Sequence, residues 1–182
     1  MHILKFEIYN FIENNNKKLI TGLNKKINII YRNYNSYDED TIIKIKNLCK
    51  KQGRKFYLSN NFDLAYKLGL DGVYIPSFNK SFSMKKNNIK KQFEIIGSAH
   101  NIKEIKIKER QMVNKIFLSP LFKIKKTKYF LDIHRFNNLA KKTKMQVIAL
   151  GGINRSNIKK LKLVNCIGFA SISFIKNNIN YI

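Results

Sequence analysis

Carboxylates, cysteines and prolines are scarce in this chain and tryptophan is absent, at 11, 2, 2 and 0 among 182 residues. Each shortage argues against a class of function. Cys49 and Cys166 stand alone, without the spacing of a metal or redox motif, so both read as small buried hydrophobes in a reducing cytoplasm. No apolar run reaches the ~18 residues of a membrane span, and the N-terminus lacks the charged start and long apolar core of a signal peptide. No pair of acids falls at a predicted strand end: Asp71 precedes a strand and Asp63 sits inside a helix. A dedicated Mg2+ site wants carboxylates, so no metal cofactor is expected. Neither a Ser-His-Asp spacing nor a Cys/His cluster is present.

The counterpart of few acids is an excess of cations: 36 Lys and Arg, for a formal net charge of +25. Clustered cations of that number would point to a polyanion, because they release counterions from nucleic acid. Here they are spread along the whole chain in company with Asn and Ile, as an AT-rich genome produces, with no basic tail and no RNA-binding aromatic signature. Dispersed charge sets solubility and nonspecific stickiness, so nucleic acid is not the expected partner.

The stretch that stands out is the one from Val147 to Asn154. Residues 147–150 are apolar without alternation, as in a strand covered on both faces. Gly151 and Gly152 end it. Lacking a Cβ, they permit a tight turn and the close approach of an anion to backbone amides. Asn154 and Ser156 are helix-capping types, residues 157–163 read as a short helix, and a second apolar strand follows at 168–173.

The same rhythm of apolar strand, polar turn and helix fills the rest of the chain. Strands are predicted at residues 2–12, 27–31, 56–58, 72–75, 93–96 and 115–118, recurring roughly every 20 to 25 residues. Asp38 to Asp40 cap a helix through Lys51, Asn101 caps one to Gln111, and Asp132 opens one to Thr143; a helical remnant is expected at 84–91. Eight units predict an α/β fold of one domain over residues 1–182, a compact (β/α)8 barrel. Its terminal helices are abbreviated, because only residues 174–182 remain for the last one. The alternative, an open doubly wound sheet, would want a Gly-x-Gly-x-x-Gly after the first strand, which is missing.

Chemistry in such a barrel belongs to the loops that follow the strands, and those after strands seven and eight commonly hold a phosphate. The candidates there are Arg32, Ser59, Asn60, Asn79, Ser98, His100, Thr127, Lys128, Gly152 and Ser173. Arg32 follows an apolar strand, where a cation pairs with a substrate anion or stays a surface charge. His100 ends strand five beside Ser98; an imidazole there suits proton transfer near neutral pH, and equally suits a hydrogen-bonded structural role. Thr127 and Lys128 lie in a basic loop that grips phosphate or is merely solvated. His2 and His134 lack such placement.

At these residues the chain resembles the thiamine-phosphate synthase and thiazole tautomerase family. The resemblance is carried by Asp71-Gly-Val-Tyr-Ile75, Gly97-Ser-Ala-His100, Ser119-Pro-Leu-Phe122, Ala149-Leu-Gly-Gly-Ile153 with Asn157, and Gly168-Phe-Ala-Ser-Ile-Ser173. It implies a (β/α)8 barrel in which Gly152, Ile172 and Ser173 hold a thiazole phosphate through backbone amides. It also implies that Thr127 and Lys128 contact phosphate, that Ser98 lies near a pyrimidine, and that His100 moves a proton in the tautomerases. The chain departs from the synthase pattern after strand two, where Ile30-Tyr-Arg32-Asn-Tyr34 keeps only the arginine. Both positions that the resemblance assigns to metal-binding aspartates are amides here, Asn60 and Asn79.

Three readings stay open at this point. The first is a metal-free, tautomerase-like or degenerate member that binds a thiazole phosphate. The second is a divergent synthase joining hydroxymethylpyrimidine diphosphate to thiazole phosphate with Mg2+. The third is a basic binding module without catalysis. Whether the chain forms a homo-oligomer is also open.

Overall fold

The computed structural model describes residues 6–34, 37–80, 90–125, 127–171 and 175. Its eight strands are β1 (Glu7–Ile12), β2 (Ile27–Tyr31), β3 (Phe56–Ser59), β4 (Gly72–Ile75), β5 (Glu94–Ala99), β6 (Lys115–Leu118), β7 (Gln146–Leu150) and β8 (Gly168–Ser171). All neighbours are parallel, and β1 pairs with both β2 and β8, so the sheet closes on itself in sequence order. The helices between them are α1 (Lys17–Gly22), α2 (Glu39–Lys51), α3 (Phe62–Lys67), α4 (Ile102–Arg110) and α5 (Asp132–Ala140). The predicted strand-and-helix alternation is therefore a (β/α)8 barrel.

Local chemistry explains the starts of these helices. Asn16, Asp38, Asn61 and Asn101 each accept the amide three residues on, satisfying a donor that the first turn leaves over. The short helix expected after β7 is a 3-10 helix (Ile158–Leu163). Its start is taken up by Asn154, whose Oδ1 accepts from the Ser156 and Asn157 amides, an alternative to helical bonding that Asn side chains offer. Strand β5 runs on to Ala99, so Ser98 lies in the strand and is buried, where a loop position was expected. The part of the expected helix at 84–91 that falls on residues 84–89, and the last helix at 174–182 apart from Ile175, lie outside the described residues.

Side-chain alternation sorts the core into two layers. Tyr9, Phe11, Ile30, Tyr57, Tyr74, Ile96, Phe117 and Ile148 pack together inside the barrel. Their aromatic rings meet edge to face, with Tyr9–Phe117 and Phe11–Tyr74 centroids each 5.3 Å apart. The outward set, including Ile29, Leu58, Val73, Ile116 and Ala149, joins the apolar stripes of α2, α4 and α5.

The end where the strands begin is closed by charge. Lys115 Nζ lies 2.9 Å from both Glu7 carboxylate oxygens and 3.3 Å from those of Glu94. Lys55 bonds Glu94 at 2.6 Å, while the buried Tyr9 and Tyr57 phenols donate to Glu7 and Glu94. Burial pushes Glu94 up, but the bonds from Lys55 and Tyr57 and the Lys115 charge outweigh it and leave the carboxyl below its ordinary value. With that end stapled, the C-terminal mouth is the place for ligand chemistry.

Candidate functional site

The mouth has two halves, set by which strand ends supply them. On the β2–β5 side, Arg32, Tyr34, Ser59, Asn60, Tyr74, Asn79 and Ser98 form a connected group. Tyr74 donates to Ser98 Oγ at 2.9 Å, and Ser59 Oγ donates to the Tyr34 hydroxyl at 3.2 Å. Burial raises both phenols above the ordinary tyrosine value, so near neutral pH they are neutral hydrogen-bonding groups. Arg32 sits over the Phe11 ring at 5.3 Å and bonds Glu13 at 2.7 Å, so an incoming anion must compete with that carboxylate. Tyr34 and Phe78 meet edge to face at 5.4 Å and are 41% and 62% exposed, an aromatic rim able to lie against a planar ring.

On the other side stands the Gly151–Gly152 turn. Both residues have left-handed φ, +93° and +73°, which an L side chain reaches only at a cost. Gly152 also has no room: a Cβ there would lie 2.5 Å from the Phe122 carbonyl oxygen. The turn is stapled to the loop after β6, since Leu121 N donates to Leu150 O and Phe122 N to Gly151 O. Asn157 Nδ2 donates to Gly152 O at 2.8 Å and so fixes the peptide plane. Among the described residues nothing accepts from the Gly152 or Ile153 amide. Strand β8 runs beside β7, Leu150 against Ala170, so both end at this mouth. Ile172 and Ser173 lie outside the described residues.

The loop after β6 links this turn to His100. Its first residues pack on Gly151 and Gly152, while Tyr129 and Leu131 line, with His100 and Arg135, a groove of about 460 Å3 between α4 and α5. Thr127 and Lys128 are exposed within that loop, and Thr127 Oγ accepts the Tyr129 amide. His100 is thus tied to the first turn of α4. The reason is Glu104: its Oε2 accepts from the His100 amide at 2.8 Å and lies 2.9 Å from Nδ1. An ionised carboxylate has no proton to give, so Nδ1 carries the hydrogen and Nε2 is left as the base.

Sequence reasoning identified His100 but not Glu104, whose signal was its place four residues on; its Oε1 accepts from Asn101 Nδ2 while its amide donates to Asn101 Oδ1. Tyr34, Tyr74 and the buried Lys108 were missed as well. Lys108 was legible only as a cation three residues after the buried Ile105, on the core-facing side of α4.

The donors at the ends of β3 and β4 do not suit a divalent cation. Asn79 Nδ2 donates to Asn60 Oδ1 at 2.7 Å, so that oxygen is taken. Asn79 Oδ1 is buried with no donor among the described residues, but it is one neutral amide oxygen. Among the described residues no three His, Cys, Asp or Glu side chains gather as a metal site. Hard dications want several oxygens, carboxylates foremost.

Comparison with known proteins identifies the family and the fold. The family described as thiamine monophosphate synthase matches residues 17–175. A thiamine-phosphate synthase of Prochlorococcus marinus is 31% identical over 166 residues, covering 87% of this chain and 48% of that protein. One from Methanococcus vannielii is 27% identical over 134 residues, covering 72% of this chain and 65% of the relative. The chain therefore spans between about half and two-thirds of the length of these relatives. Among solved structures, thiamine phosphate pyrophosphorylase from Pyrococcus furiosus superposes with a TM-score of 0.71 at 15% identity, covering 95% of this chain and 91% of that one. That from Bacteroides thetaiotaomicron gives 0.68 at 19%, covering 97% and 87%; these two likenesses bear on the fold. With the barrel, the paired-glycine turn and a family match over most of its length, this chain belongs to the thiamine monophosphate synthase family.

Proposed function

We propose that this protein binds a small phosphorylated heterocycle, a thiazole phosphate in the first place, and shifts a proton on it without a metal. The observation that carries the reading is the Gly151–Gly152 turn. It is left-handed at both residues, braced by Asn157, and presents the Gly152 and Ile153 amides at the mouth with no acceptor among the described residues. Backbone amides fixed in this way hold a phosphoryl group with charge-assisted bonds and need no reorganisation on binding. Ile172, Ser173, Thr127 and Lys128 complete the anchor in this reading, while Arg32, Ser59, Asn60 and Ser98 receive the ring. His100, its Nδ1 bonded to Glu104, takes a proton on Nε2 and returns it to another atom of the ring, so no net charge or atom is gained.

Two measurements test it. Thermal-shift titration should show stabilisation by thiazole phosphates that increases with ligand concentration. Isomerisation of a thiazole carboxylate phosphate should be lost in His100→Ala while ligand binding persists; unaltered turnover would remove His100 from the mechanism. A second reading, a divergent synthase, is favoured by the relatives, which are named thiamine-phosphate synthases. It requires coupled product from hydroxymethylpyrimidine diphosphate and thiazole phosphate that depends on Mg2+.

A further inference from the structure

Lysine is the last residue expected on the core side of a barrel helix, yet Lys108 of α4 is 0% exposed. Its aliphatic stem crosses β5 at Gly97, where a Cβ would come within 3.1 Å of Lys108 Cδ. Its ammonium then reaches the end of β4 and donates to Pro76 O (2.7 Å), Asn79 O (2.8 Å) and Gln111 Oε1 (2.9 Å). All three N–H bonds are used, which is what allows a charge to be buried there. Gln111 Nε2 adds a bond to Asn79 O at 3.1 Å, so one carbonyl receives two donors. From the same residue the Asn79 amide reaches Asn60, itself left-handed at φ +60° and bonded through its N–H to Tyr74 O. An unbroken path of hydrogen bonds therefore runs from α4 through the β4 end to the β3 end.

We propose that Lys108 is a buried resident cation beneath the β3 and β4 ends of the mouth, a positioning residue that does the work of a bound metal. Its ammonium ties the β4 end to α4 and holds Asn79 against Asn60, and its positive charge under the loop disfavours a dication at the two amides. The inference rests on the proposed reading only in taking this mouth to receive an anionic ligand. Burial lowers the lysine to about 8, opposed by the Glu104 carboxylate on the same helix, so the ammonium form still holds near neutral pH.

The experiment is a Mn2+ titration followed by electron paramagnetic resonance, on the full chain with and without inorganic diphosphate. The wild-type protein should show no stoichiometric bound Mn2+ up to about 1 mM, the weak end of protein sites for hard dications. Its affinity for inorganic phosphate should be the same in Mg2+ as in EDTA. In the Asn60→Asp/Asn79→Asp background, Lys108→Met should tighten Mn2+ binding at least about tenfold, a charge effect that a purely structural lysine would not produce. Stoichiometric Mn2+ on the wild-type protein, or phosphate binding that needs Mg2+, would overturn the proposal even if the variants fail to fold. Absence of phosphate binding under every condition would instead sink the phosphate-anchor reading and leave the Mn2+ result to decide this one.

Discussion

Replacing Gly152 by alanine separates the phosphate anchor from the fold that carries it. The left-handed φ of +73° charges an L residue about 1–2 kcal/mol. The new methyl would also lie 2.5 Å from Phe122 O and 2.8 Å from Lys123 O. Those carbonyls cannot swing away freely, because Leu121 N and Phe122 N hold their loop to Leu150 O and Gly151 O. Overpacking of that kind adds about 1–3 kcal/mol, for a total of about 2–5 kcal/mol and a fall in Tm of roughly 4–20 °C. Moving the amide off a bound phosphoryl oxygen forfeits a charge-assisted bond, about 1.5–3 kcal/mol, or about 10- to 100-fold in affinity. Calorimetric titration with inorganic phosphate, well below the variant's Tm, reads the second quantity apart from the first. Gly53→Ala is the control: φ is +64° with no described residue within 4 Å of the new methyl, so it should cost stability modestly and leave phosphate affinity alone. If Gly152→Ala loses stability while phosphate affinity stays at the wild-type value, the turn is structural and the anchor is wrong.

Lys115→Met should destabilise by about 2–3 kcal/mol, discounted from a fully buried pair because Glu7 and Glu94 are 26% and 21% exposed at the side chain. Since the folded state holds Glu94 below its ordinary value, that stability is present above the ordinary glutamate range and is lost as pH falls through the folded value. The gap between wild type and variant, read by urea melts, should therefore narrow below that range; a gap that does not change with pH would refute the ion network. Glu104→Gln should cut His100-dependent turnover and raise the share of the Nε2–H tautomer in 15N spectra, and an unchanged tautomer would dismiss Glu104 as the orienting group. Tyr34→Ala with Phe78→Ala should weaken phosphorylated heterocycles several-fold while sparing inorganic phosphate, by loss of ring stacking. Equal losses for both ligands would mean that the rim only shapes the loops.

The barrel could be read from the chain because its signals are local. Apolar runs such as residues 27–31 and 72–75, capping residues such as Asp38 and Asn101, and the Gly-Gly after β7 each act within a few positions. Parallel strands joined by helices then leave few ways to close. What needed the tertiary structure was every arrangement that joins residues far apart in sequence. The partner of His100 was undecidable from its position at a strand end, since a single carboxylate one helical turn on holds its Nδ1. Asn60 and Asn79 were legible as neutral substitutes, but their mutual bond depends on two loops meeting across β3 and β4. Lys108 and Lys115 were two of 36 cations in the sequence, Lys108 marked only by its spacing from Ile105. A charge is tolerated in the core only where several distant oxygens converge on it, and convergence is a property of the folded chain alone.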